Sequence, residues 1–427
     1  MEWMAFHYLL GKKKPNIMEA DKNNLKAIYN PWLCCLPALV FSHAVGTLNV
    51  VSVLAMAPVI RGEFELSAAL FGTFVSAYYG AQAIGSLPAG SITDRYGITF
   101  ALIISHFTMV IGALIVALAP DYKASVLGMV FMGFGYSLTN PSTARGVLAW
   151  FPKEHRGLAM GLKQVGVPLG GLLAALNGAL AADINWQLLM YGVAIIIAIN
   201  GIFCINLFRY ERFVEKKQSL SLLATIGEVV RDTNFNIYAM LSGLLNIGQT
   251  NFFGFLTLFL TDVLRASQPM AAFAMGLAQT VSAIARIGWG TLSDKAFKGR
   301  RKVLKAWICG VAAVFLASMG SVGHIFDGAG LGLGLLLTVG LGITIASFAP
   351  VAQAISVEAV DPRLTGSAVG YNMLGVHIGG FVGPIIFGAA MDFFGGDYAA
   401  GWLVTAFATA LGVVLLVFTF REGRLTL

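Results

Sequence analysis

The sequence predicts an all-α integral membrane protein, with twelve transmembrane helices in two similar six-helix bundles. Three observations predict it. Hydrophobic residues make up 57% of the 427 positions, charged residues only 11%, and the mean hydropathy is +0.77. A soluble domain carries about 25% charged residues, so these charges are too few to clothe a water-facing surface, and lipid must be the outer solvent. Twelve apolar segments each approach or exceed the roughly 20 residues that a span requires. Finally, a glycine–acid–base signature occurs twice, 200 residues apart, each time where an apolar segment ends.

The segments run over 33–60, 68–91, 98–119, 124–149, 158–182 and 186–208, then 236–261, 269–291, 303–324, 331–357, 364–391 and 399–420. None alternates apolar and polar residues as a barrel strand would. Residues 1–32 read as a cytoplasmic tail. Its Lys12-Lys13-Lys14 precedes an apolar run, as in a signal peptide, but that run exceeds an h-region of roughly 7–15 residues and is read as a retained span. Residues 33–208 form the first bundle and 236–420 the second. Between them, 209–235 is a cytoplasmic linker with a short amphipathic stretch, and 421–427 is a second cytoplasmic tail. Fifty glycines and 13 prolines suit membrane helices, where small residues let backbones approach.

Lysine and arginine orient the bundle. With the N-terminus inside, the inner loops hold Arg95, Lys153, Arg156, Arg209, Arg212, Lys216, Lys217, Arg231, Lys295, Lys298, Arg300, Arg301, Lys302, Lys305 and Arg363. The outer loops keep Arg61, Lys123 and Arg265. Both termini are therefore expected in the cytoplasm. The net charge of +7 lies in these short loops, which argues against a nucleic-acid partner. Cys34, Cys35, Cys204 and Cys309 lie in or beside apolar segments with no disulfide or zinc spacing, so no metal site or cofactor is expected. No Gly-x-x-x-x-Gly-Lys-[Ser/Thr] loop is present, which excludes ATP as the energy source, and no nucleophile–base constellation suggests an enzyme.

The first signature reads Gly85-Ser-Leu-Pro-Ala-Gly90-Ser-Ile-Thr-Asp94-Arg95-Tyr96-Gly97. The second reads Gly290-Thr-Leu-Ser-Asp294-Lys295, with Gly299-Arg300-Arg301-Lys302 close behind. The halves also match at 157–171 and 366–380. At a constant offset of 209, seven of fifteen positions are identical, five of them glycine, and the same offset pairs Pro141 with Pro350. Twelve spans, a six-plus-six division and this signature after spans 2 and 8 resemble the major facilitator superfamily, over nearly the whole chain after residue 30. The resemblance implies a secondary transporter whose halves rock about a central site. One departure is that Ile98-Thr99-Phe100 follow the first copy where the family usually has basic residues.

By that resemblance, Gly90 and Gly290 let helix ends approach, Asp94 faces the start of span 11 near Gly366, and Asp294 faces the start of span 5 near Gly157. Arg95, Arg145, Lys295, Arg300, Arg301 and Glu358 complete the expected cytoplasmic gate. A carboxylate beside a helix N-terminus is worth about 0.3–1 kcal/mol, enough to bias a cycle and weak enough to break.

Ionisable residues inside spans are functional hypotheses by default. Arg145, Lys163 and Arg286 are the cations here, and no Asp or Glu falls near mid-span. An interior with cations and no opposing carboxylates suits an anion. Arg286 lies about 12 Å in from Asp294, and Lys163 about 10 Å in from Arg156, at the helical rise. Arg286-Ile-Gly-Trp-Gly290 resembles the Arg-x-x-x-Gly element of monocarboxylate-type carriers. Their acid one turn earlier is Ser282 here. Neutral partners for the solute are expected from Asn49, Tyr136, Asn140 and Gln164, and from Asn246, Gln249, Tyr371 and Asn372. Interhelical hydrogen bonding accounts for each of these equally well. His43 and His377 are candidate proton carriers, or core histidines bonded to backbone.

The expected function is secondary transport of a small organic anion, driven by a proton or counter-solute gradient, by a monomer in a bacterial inner membrane. Two rivals stay open: an inorganic-ion permease (nitrate, phosphate or a metal such as iron, in a plasma or a magnetosome-like membrane) and a non-transporting sensor.

Overall fold

The computed structural model describes residues 30–152, 155–211, 222–297, 300–325, 330–361 and 364–422. Among them every regular element is a helix. Twelve helical segments follow the twelve apolar runs. They are α1 (Leu36–Ala55), α2 (Ala68–Tyr96), α3 (Ile98–Leu118), α4 (Tyr122–Trp150), α5 (Arg156–Leu180) and α6 (Trp186–Ile205) in the first half. The second half has α7 (Thr233–Asp262), α8 (Gln268–Lys295), α9 (Arg301–Ile325), α10 (Gly330–Ile343 and Ala349–Glu358), α11 (Thr365–Phe393) and α12 (Tyr398–Thr419). Short helices flank them at Pro31–Cys34, Ala57–Glu63, Phe208–Glu211 and, on the linker, Leu222–Arg231.

Side-chain caps set where helices begin. Ser67, Asp121, Asp232 and Asp397 accept from the backbone N–H of Leu70, Ala124, Phe235 and Ala399, satisfying donors that a helix start leaves unpaired. Nine helices among the described residues are long and apolar enough to cross a membrane. The others depart for a reason. α2 and α4 are each 29 residues long but more polar, because one carries the signature and the other carries Asn140, Pro141 and Arg145.

α10 is the third exception, and here the structure corrects the continuous span expected over 331–357. The helix stops at Ile343 and restarts at Ala349. Pro350 has no N–H with which to bond the carbonyl four residues back, and that carbonyl, Ala346 O, serves side chains instead. It accepts from Ser282 Oγ at 2.9 Å, Arg286 Nη2 at 3.0 Å and Gln249 Nε2 at 3.2 Å. Trp289 Nε1 reaches Ile343 O at 2.7 Å and Ser347 Oγ at 2.9 Å. The break is thus held from α8 and α7.

Within the first half α1 packs on α5, α2 and α3 on α4, and α6 on α3. In the second, α7 packs on α11, α9 on α12 and α8 on α10. The halves meet chiefly along α2–α11 and α5–α8. The glycines of the internal repeat explain the symmetry. A Cβ on Gly166 or Gly170 would overlap backbone carbonyls of α1, those of Val40 and Ala44. On the partner positions Gly375 and Gly379 it would overlap those of Ala239 and Gly243 in α7. Gly171 and Gly380 serve instead across the halves, against Gln279 and Tyr79. One offset therefore encodes both kinds of crossing, each needing a residue without a side chain.

Two carboxylates close the halves in the same way. Glu211, beyond α6, accepts from the N–H groups of Ile98 and Thr99 at the start of α3, the second at 3.0 Å. Glu422, beyond α12, accepts from Lys302 N in the first turn of α9 at 2.9 Å. Gly97, at φ 102°, leaves the room that the Glu211 carboxylate occupies. Glu211→Gln keeps the acceptor and loses the charge on the helix dipole. The expected cost is about 1 kcal/mol, read as a lower melting temperature with transport unaltered; unchanged melting would show that the charge is idle.

Candidate functional site

Among the described residues, one end of the bundle carries a dense set of contacts between the halves. At the end away from the signatures, Gly178 lies against Ala272, Gly276 against Ala175 and Gly388 against Ala69. Gly72 and Gly254 lie against Phe255 and Val75, respectively. Thr257 Oγ1 donates to Leu54 O, and Gln268 Nε2 to Ala55 O and Gly178 O. Arg61, beyond α1, pairs with Asp262 at the end of α7 through both carboxylate oxygens, and Tyr398 donates to the same carboxylate at 2.7 Å. At the signature end, a Cβ on Gly157, Gly161, Gly288, Gly290 or Gly370 would meet no neighbouring element within 4 Å among the described residues. Gly157 and Gly161 continue the face of α5 that meets α8 at Gly171, Ala175 and Gly178. The two helices are therefore splayed at the signature end, and the space between the halves opens there.

Polar residues gather where closed and open regions meet. Lys163, 2% exposed on α5, donates to Asn140 Oδ1 and Thr143 Oγ1, both at 3.1 Å, and lies 3.5 Å from His43 Nε2. His43, on α1, reaches Thr143 Oγ1 at 2.9 Å and Tyr136 OH at 3.4 Å. Gly46 makes this possible, because a Cβ there would occupy the Tyr136 ring. From the other half Arg286 is positioned by Ser282, at 3.3 Å, and by the freed Ala346 carbonyl. Its charge acts on both Tyr136 and His43. Gln164 Nε2 meets Gln353 Oε1 across the halves at 3.5 Å. An uncompensated cation in such a place is costly, and an anion brought beside it gains about 4 kcal/mol at 4 Å and an effective dielectric of 20.

The remaining predicted residues divide. Gln249 supports Arg286 through Ala346 O. Asn246 bonds Val376 O and Thr250, which ties α7 to α11. Asn49 and Asn372 are fully buried with their amides unpaired among the described residues, and Tyr371 packs its ring against Phe235. His377 stands beside Tyr79, 6.3 Å between rings, with Nδ1 unpaired among the described residues.

At the signature end Asp94 is bound to Arg145 of its own half at 2.9 Å, and the side chains at the start of span 11 that it is expected to face, at 365 and 366, lie outside the described residues. A Cβ on Gly290 would meet nothing within 4 Å among the described residues. Gly90 is half-buried, and Arg95 is exposed, stacked over Tyr96 at 5.4 Å. The side chains of Asp294 and Lys295, like Gly366, lie outside the described residues. In the second half Arg301 takes over, clasping Glu358 at 2.7–2.9 Å and bonding Ser293, while Arg300 is exposed.

Lys305 corrects the loop assignment. It is wholly buried on α9, donating to Tyr238 OH at 3.1 Å and Ser242 Oγ at 3.3 Å, with its ammonium 4.4 Å from the Tyr238 ring centre. Its proximity to Arg300–Lys302 disguised it. The Arg61–Asp262 pair was missed too, although opposite charges at the ends of the first helix of each half were a usable signal.

The family profile described as "Major Facilitator Superfamily" matches residues 39–347. The chain belongs to the major facilitator superfamily. As a superfamily member it is a secondary transporter of a small-molecule solute and not an enzyme. It is 24% identical over 411 residues to "Uncharacterized transporter YybO" of Bacillus subtilis (strain 168), spanning 88% of this chain and 90% of that one. It is 26% identical over 187 residues to the "Hexuronate transporter" of the same organism, 43% of each chain. In structure it resembles the bacterial homologue of the human lysosomal transporter Spinster, solved inward-facing and occupied, with TM-score 0.72 and 19% identity over 92% of this chain and 98% of that one. A point mutant of the nucleoside transporter NupG gives 0.71 and 17%, over 90% and 100%. These two likenesses concern the superfamily fold.

Proposed function

We propose that this chain carries a small organic anion across a bacterial cytoplasmic membrane by alternating access. Both termini lie inside, and a proton or counter-solute gradient supplies the energy. One observation carries the reading: Lys163 and Arg286 stand on α5 and α8, which pack on each other across the halves, and neither has a carboxylate partner among the described contacts. The solute's carboxylate sits between them, with Tyr136, Asn140, Gln164 and Gln353 around it. The hexuronate transporter, a relative over 43% of the chain, is named for an anion and agrees with this class. With the signature end in the cytoplasm, the conformation is inward-facing. The Asp94–Arg145 and Arg301–Glu358 pairs belong to its open inner gate. One chain supplies both cations, so a monomer suffices.

Proteoliposomes given labelled D-glucuronate, L-lactate, nitrate or phosphate test the reading. At least one organic anion is expected to accumulate, and Arg286→Ala to slow it about 100-fold, the loss of one charge-assisted hydrogen bond of about 3 kcal/mol. Because Arg286 also braces the α10 break, melting of the variant is followed in parallel. Wild-type uptake by a folded Arg286→Ala protein would remove that residue from the site, and accumulation of nitrate or phosphate alone would replace the organic anion by an inorganic one.

A further inference from the structure

The polar cluster around Lys163 permits a complete proton inventory. Thr143 donates its hydroxyl hydrogen to backbone, to Thr139 O at 2.8 Å or Asn140 O at 3.1 Å. Its oxygen is left to accept from Lys163 Nζ and from His43 Nε2–H. On that basis we assign the hydrogen of His43 to Nε2, which leaves Nδ1 as an acceptor facing Tyr136 OH. The Lys163–His43 approach at 3.5 Å is then a contact between two donors, not a bond.

The groups facing His43 are Lys163 from α5, Tyr136 from α4 and the charge of Arg286 from α8. His106 of α3 and Cys204 of α6 lie behind the neighbouring Ser42, reached directly by Cys204 and through Asn200 by His106. No carboxylate contacts His43 or Lys163 among the described residues. A second positive charge on His43 would stand 3.5 Å from the Lys163 ammonium, a like-charge contact that opposes protonation. Among the described residues the cluster therefore offers His43 no nearby negative charge that would let it hold a proton.

We infer that the transported anion supplies it: binding of the anion beside Lys163 brings one proton from water onto His43 Nδ1, so that proton and anion travel together without any acidic side chain. This rests on the anion reading above. The balance is simple. Nδ1 gives up its bond from Tyr136, whose hydroxyl turns toward the anion, and gains a proton. When the anion leaves on the other side its charge goes with it, the repulsion from Lys163 and Arg286 returns, and the proton follows. Linkage is reciprocal, so the proton must tighten anion binding by the same factor.

Calorimetric titration of the full chain with D-glucuronate, in two buffers of different ionisation enthalpy, counts protons taken up per anion bound. About one is expected where the site titrates, with the apparent Kd falling about tenfold per unit drop in pH there. His43→Gln is expected to bind more weakly with a proton count near zero, and in vesicles to lose proton-driven accumulation while still exchanging internal for external anion. His43→Asn serves the same test if the first variant fails to fold. Binding by the wild type with no proton uptake, or by a His43 variant with undiminished uptake, would overturn the inference while leaving the anion site standing. No binding of any organic anion would overturn both.

Discussion

Gly161→Trp is expected to leave the protein folded and to stop transport. Among the described residues a Cβ at Gly161 meets nothing within 4 Å, and the same holds for its repeat partner Gly370 and for Gly290 on the facing helix. Yet Gly161 lies on the α5 face whose far end is already closed on α8, at Gly171 against Gln279 and Gly178 against Ala272. When the far end opens, this stretch must close, and an indole cannot fit between two helix backbones. The matched control is Gly379→Leu. A side chain there overlaps the Gly243 carbonyl in every conformation that keeps α7 against α11, at a cost of about 3 kcal/mol or more. Thermal melting and vesicle uptake separate the two. Gly161→Trp should melt within a few degrees of wild type with uptake abolished, whereas Gly379→Leu should fail to accumulate as folded protein. Normal uptake by Gly161→Trp would mean that α5 and α8 never close along this face.

The second large effect concerns the opposite end. Arg61, Asp262 and Tyr398 join the ends of α1 and α7 to the start of α12, with both ion-pair side chains about a quarter exposed. A bidentate, partly shielded pair of this kind is worth more than a free surface pair, about 1.5–3 kcal/mol, and it exists only while the far end is closed. Asp262→Asn should therefore raise the outward-facing population at least tenfold. A single cysteine at Val75, buried against Gly254 across the halves, reports it once the four native cysteines are replaced. Labelling by a membrane-impermeant maleimide from outside should quicken by that factor in Asp262→Asn and in Arg61→Ala. Equal labelling rates with and without the pair would show that other contacts, such as Thr257 with Leu54, hold the gate.

Much of this was visible in particular residues. Apolar runs, the 209-residue offset and the signature led to twelve spans, two halves and the superfamily, and those readings hold. Lys163 and Arg286 stood out because a cation inside a span is chemically anomalous wherever it points. Other features gave no such sign. Pro350 reads as a kink in any membrane helix, but that its freed carbonyl anchors Arg286 depends on α8 and α7 passing beside the break. Lys305 reads as loop charge until α7 and α10 close around it. Asn246 and Gln249, one turn apart on the same helix, look alike in sequence, and one ties α7 to α11 while the other supports the cation.

Span length, helix starts and the repeat are properties of about ten to thirty consecutive residues, because hydropathy and capping act over that range. Pairings are not. Glu211 meets Thr99 across 112 positions of chain, and Arg61 meets Asp262 across 201. Electrostatic and steric terms decide them only after the helices have packed. The same limit separates the two uses of glycine: Gly170 and Gly161 are indistinguishable in the sequence. Tertiary structure alone shows that a neighbouring backbone fills the space beside the first, and that the second faces open space among the described residues.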